Sequence, residues 1–129
     1  MARSRSQQPT EVELLILRAL WERSPLTARQ IHNELLKTRE ANYSTTVKML
    51  SVMLDKGLVK RDESATPQVY RPASSQKVTQ KKMLRDLIQK VYDGSSSSLV
   101  MQALSTRKST PEELARIRKL LDDLQEDSQ

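Results

Sequence analysis

Residues 26–72 hold two stretches of helical spacing, a short polar connector between them, and two alternating runs close behind. A stretch opening at Leu26-Thr27-Ala28-Arg29-Gln30-Ile31 predicts one helix. Thr27 and Gln30 stand at capping-box spacing, and Ala28, Ile31, Leu35 and Leu36 form its apolar face. Thr38 to Asn42 form the connector. A second helix is predicted from about Ser44 to Lys56, with Val47, Leu50 and Leu54 turned inward. Its outward side then carries Thr45, Thr46, Lys48, Met49, Ser51 and Val52, and Gly57 stands where a helix end calls for positive φ. Leu58 to Arg61 and Gln68 to Arg71 alternate as strands do, with turn residues from Asp62 to Pro67. A hairpin this short has no stability of its own and must lie against the helices. The expected fold is therefore mainly α, with an N-terminal winged helix-turn-helix of three helices and a β-wing.

The first of those helices comes earlier. Thr10 and Glu13 form another capping box; Val12, Ile16, Leu17, Leu20 and Trp21 make an apolar stripe, and Ser24-Pro25 ends it. His32, the single histidine, is expected on the flank of its helix as a surface or partly packed residue. Residues 1–8 read as a disordered basic arm, residues 9–73 as the winged-helix domain, and residues 74–129 as a helical dimerisation domain. Within that last part, a hinge at Ala73 to Gln76 leads into a helix over roughly Gln76 to Tyr92. Its apolar side holds Leu84 (or Met83), Leu87, Ile88 and Val91. The serines from Ser95 cap a short amphipathic turn or two bearing Leu99, Val100, Ala103 and Leu104. Thr110-Pro111-Glu112-Glu113 is a strong helix start. Leu114, Ile117, Leu121 and Leu124 then repeat as a two-helix seam too short to stand without a partner. These residues, together with Leu84, Leu87, Ile88, Val91 and Leu99, are the expected dimer contacts.

Composition narrows the function. Apolar residues make up only 36%, with no Phe and one Trp, so burial between subunits would supplement a lean core. A net charge of +6 and a pI near 9.8 suit an anionic partner. The absence of cysteine fits a reducing compartment, and no apolar run is long enough to span a membrane. The first residues do not form a secretory signal, so a soluble cytoplasmic protein without membrane insertion is expected. One histidine, no cysteine and no glycine-rich loop offer neither a nucleophile–base pair nor a phosphate cradle; no enzyme, cofactor or metal site is expected. A helix-turn-helix with a wing presents one exposed helix to a major groove. Arg29 would offer a donor to phosphate from the preceding helix. Tyr43, Ser44, Thr45, Thr46, Lys48 and Met49 would lead into the groove, and Lys60 and Arg61 on the wing would hold flanking phosphates. The alternatives are an effector-binding regulator whose C-terminal lobe holds a small molecule, and a protein-interaction adaptor with no DNA role.

Several blocks are also familiar in order: Glu13, Leu17, Leu20 and Trp21; Pro25-Leu26-Thr27-Ala28-Arg29-Gln30-Ile31; Tyr43 to Leu50; Leu54-Asp55-Lys56-Gly57-Leu58-Val59; and Val69-Tyr70-Arg71-Pro72. With Tyr92-Asp93-Gly94-Ser95, Leu99-Val100 and Leu114 to Leu121, the chain resembles the penicillinase (β-lactamase) repressor family from about Pro9 to Leu124. The resemblance implies a homodimeric repressor on a palindromic double-stranded DNA operator. It also implies relief of repression by cleavage in the C-terminal lobe, through a protease linked to a membrane sensor. The stretch matching the cleavage site is Leu99 to Leu104, with Gln102-Ala103 where the family has Asn-Phe.

Overall fold

A computed structural model describes residues 8–128, so all of the predicted basic arm except Gln8 lies outside the described residues. The chain divides into two compact units, Met1–Met83 and Leu84–Gln129.

In the first unit, α1 (Glu11–Arg23) is followed by β1 (Leu26–Thr27), α2 (Ala28–Leu36), α3 (Tyr43–Asp55), β2 (Val59–Asp62) and β3 (Val69–Pro72). Both N-terminal capping boxes form, Thr10 with Glu13 on α1 and Thr27 with Gln30 on α2. Each satisfies backbone donors that the first turn leaves without partners. The strands make one antiparallel sheet in the order β1-β3-β2, with Leu26 opposite Tyr70 and Val59 opposite Pro72. Leu26 and Thr27, expected to open a helix, are instead extended and clip the far edge of the wing. The reason is local: Thr27 is the N-cap, a position with extended backbone (φ −76°, ψ 163°), so a neighbouring strand can pair there. Ile16, Leu17 and Leu20 of α1 meet Ile31 and Leu35 of α2, Leu50 and Met53 of α3, and Val59 and Tyr70 of the sheet in one core. Trp21 packs beside that core, and its indole Nε1 donates to the Ser74 carbonyl at 2.9 Å. Leu36 is exposed, because the buried stripe of α2 runs through Ile31, His32 and Leu35.

The inward face of α3 is Thr46, Leu50 and Met53, spaced i, i+4 and i+7, and this corrects the expected orientation. Thr46 is fully buried and Met49 half-buried, whereas Val47, expected inside, is exposed. His32 is likewise buried rather than on the surface. The two corrections have one cause: the His32 ring nitrogen Nδ1 lies 2.8 Å from the Thr46 hydroxyl. Each group gives the other a partner, so both are buried without leaving a polar atom unsatisfied. The Thr46 hydroxyl also donates to the Asn42 carbonyl at 3.4 Å.

A buried ion pair closes the far end of α3. Lys56, its C-cap, donates from Nζ to Glu13 Oε1 at 2.7 Å, with both side chains almost wholly out of water. Gly57 follows at φ +75°, the left-handed geometry that lets the chain turn directly into β2.

Beyond the wing, Ser75 Oγ accepts from the Val78 backbone N–H at the start of α4 (Gln76–Val91), which runs on through Met83 into the second unit. The second unit also contains α5 (Ser96–Thr106) and α6 (Pro111–Asp127). The expected single turn or two after Ser95 is thus a helix of 11 residues, capped by Ser95, whose hydroxyl accepts from the Ser98 N–H at 3.2 Å. Asp93 and Gly94, both at positive φ, make the bend before it. Thr110, Pro111 and Glu113 form the expected start of α6. No described residue of α4, α5 or α6 is buried.

Candidate nucleic-acid interface

Because Thr46, Leu50 and Met53 point inward, the opposite side of α3 is set: Ser44, Thr45, Val47, Lys48 and Ser51 are all exposed. Short hydroxyl side chains dominate this surface, and such groups give up little rotamer freedom when they contact a base edge or phosphate. Tyr43 opens the helix and is held on two sides. The guanidinium of Arg29 lies over its ring at 3.8 Å, and His32 meets it edge-on with centroids 5.5 Å apart. Arg29, Tyr43, His32 and Thr46 thus form a continuous line from solvent into the core, fixing α2 against the start of α3.

The wing divides its cations between two faces. Arg61 pairs in register with buried Tyr70, whereas Lys60 pairs with Arg71, and successive strand residues face opposite ways. Arg61 therefore turns toward the helices. With Arg29, Tyr43, Val47, Gln68 and Tyr70 it lines a groove of about 400 Å³ between the wing and the beginnings of α2 and α3. Its guanidinium donates to Glu63 at 2.6 Å, and this bond first, then one to Tyr70, raises its pKa above the ordinary arginine value. The Asp62 carboxyl at the hairpin turn is held below its ordinary value mainly by the Ser64 hydroxyl, which donates at 2.6 Å.

Lys60 and Arg71 lie directly opposite one another on the other face, both exposed. Like charges in that relation repel, and an anion lodged between them would relieve the repulsion. Arg71 was absent from the sequence-derived set. The pairing register identifies it, since the residue across from Lys60 must share its face.

Of the predicted interface residues, Arg29, Tyr43, Ser44, Thr45, Lys48, Lys60 and Arg61 lie at the surface of this lobe. Met49 is half-buried against the core, and Thr46 is removed from the set by its burial. In the second unit Leu84, Leu87, Val91, Leu121 and Leu124 are exposed, and Ile88, Leu99, Leu114 and Ile117 partly so. Val100, Met101, Leu104 and Leu120 add to this apolar surface. Gln102 and Ala103 are exposed in mid-α5, where Gln102 Oε1 accepts from the Tyr92 hydroxyl at 2.9 Å.

Three helices closed by a small antiparallel sheet, with a basic wing beside an exposed third helix, define a winged-helix protein. Residues 9–123 match the family described as Penicillinase repressor. A penicillinase repressor from Bacillus licheniformis is 22% identical over 116 residues, covering 90% of this chain and 91% of that protein. The chain belongs to the penicillinase repressor family, a family of transcriptional repressors.

Proposed function

We propose that this chain is a sequence-specific DNA-binding repressor that acts as a homodimer on a palindromic operator. The observation that carries the reading is the outward face of α3. Ser44, Thr45, Lys48 and Ser51 are exposed there, while the cations Arg29 and Arg61 stand to one side on α2 and the wing. Helix α3 would enter the major groove, with α2 and the wing on the flanking phosphates. The exposed leucines of α4 and α6 support the second half of the proposal. Fully burying a large apolar side chain contributes roughly 1.5–3 kcal/mol, and these leucines, about half exposed, would each gain about half of that in a shared interface. Helix α5 exposes the Gln102-Ala103 bond to a sensor-linked protease, which would have to unwind the helix to cut it. The reading further places the protein in the cytoplasm, with DNA binding in residues 9–73 and dimerisation in residues 74–129.

Selection from a randomised duplex library at physiological salt with competitor DNA tests the proposal. The expected product is a dyad-symmetric consensus with half-site centres about one helical turn, or a multiple, apart. Enrichment of no consensus, or binding indifferent to salt, would refute it.

A further inference from the structure

Val47 is an apolar residue that the fold turns outward. It is 39% exposed on α3, while the polar Thr46 beside it takes the inward position that a hydrophobic residue would ordinarily fill. The bond to His32 accounts for the inward threonine, and it leaves a β-branched apolar side chain exposed among Ser44, Lys48 and Ser51. Its position is nonetheless well defined. One turn back, Tyr43 is clamped between Arg29 and His32, and Val47 lines the same groove as Arg29, Arg61 and Gln68. A branched side chain on a helix has essentially one χ1 rotamer, so its two methyl groups project in fixed directions.

Cations on that groove would draw a phosphate backbone past it, and the only apolar group that the major-groove edge of a base pair presents is the 5-methyl of thymine. We infer that Val47 reads a thymine by packing against its 5-methyl group, making it a specificity-determining residue beside the hydroxyl-bearing ones. The inference rests on the DNA-binding reading above and adds to it the identity of one base. No bond is made or broken; the discrimination comes from removing two methyl surfaces from water at once, an effect comparable to burying one methylene group.

The test uses the full-length protein and the consensus duplex obtained by selection, with thymines replaced one at a time by deoxyuridine. That replacement deletes the methyl and leaves every hydrogen-bonding group in place. For the natural chain, one thymine position per half-site should lose affinity about fourfold on substitution. Val47→Ala, which changes both half-sites of the dimer, should bind the thymine duplex about sixteenfold more weakly and be indifferent to deoxyuridine at that position, while remaining sensitive to other base changes. Because Val47 is exposed, the variant should melt with the natural chain. If the consensus contains no deoxyuridine-sensitive thymine, or if Val47→Ala retains the full sensitivity, the assignment to Val47 falls while the repressor reading stands. If no consensus is selected at all, both fall, and the duplex library reports that before any variant is made.

Discussion

Replacing Lys56 by Met would remove the ammonium from the Glu13–Lys56 pair while keeping most of the side chain's length and apolar stem. The cost is then electrostatic rather than a loss of packing. Glu13 is 3% exposed, and without Lys56 its carboxylate would retain the Thr10 backbone N–H, 2.9 Å away, as its remaining close donor. Breaking a buried pair from one side typically costs about 3–5 kcal/mol, against about 0.2–1 kcal/mol for an exposed pair. The surviving Thr10 bond points to the lower end, about 3 kcal/mol. For a lobe of this size each kcal/mol moves the melting temperature by about 4–8 °C, so a drop of about 12–24 °C is expected. Trp21, the only tryptophan, belongs to the N-terminal unit, so its fluorescence follows this lobe through urea or thermal unfolding. Glu13→Gln combined with Lys56→Met should recover to within about 1 kcal/mol of the natural chain, since a neutral pair leaves no stranded charge and the amide oxygen can still accept from Thr10. A single variant melting within about 4 °C of the natural chain, or a double variant no more stable than the single, would show that water reaches this pair.

Thr46→Val keeps the shape of the side chain but leaves His32 Nδ1 without its partner. It should cost about 1–3 kcal/mol in urea unfolding and leave operator sequence preference unchanged; a shifted preference would return Thr46 to the binding surface. Lys60→Ala should weaken binding to all duplexes alike and flatten the slope of log affinity against log salt by about 0.9 per lost contact, about 1.8 for the two copies in a dimer, and an unaltered slope in fluorescence anisotropy would exclude a phosphate contact. Leu121→Asp would put an unpaired charge in the proposed seam, at a cost of several kcal/mol of association, and should give a monomer by light scattering. A variant still dimeric would move the interface off α6.

What could be read from the chain, and what could not, follows the physics of each element. The capping boxes at Thr10, Thr27 and Thr110 and the left-handed turn at Gly57 are local devices, legible because their partners lie within a few residues. The orientation of α3 was not legible, because apolar periodicity assigns Val47 inward and Thr46 outward whenever each residue is weighed alone. Their true positions depend on His32, fourteen residues away on another helix. Glu13 and Lys56 were hidden in the same way, two charges that belong inside only as a pair. Strand β1 was missed because two residues show no alternation. Arg71 was missed because its relation to Lys60 exists only across the ladder.

The Arg29 guanidinium is held over the Tyr43 ring by a contact within the chain. A long, mobile cation usually surrenders its freedom at the moment of contact; here that freedom is given up when α2 meets α3. The orientation of this charge thereby becomes a property of helix packing. A change of side chain deep between the two helices could retune how the protein grips its target without touching the target at all.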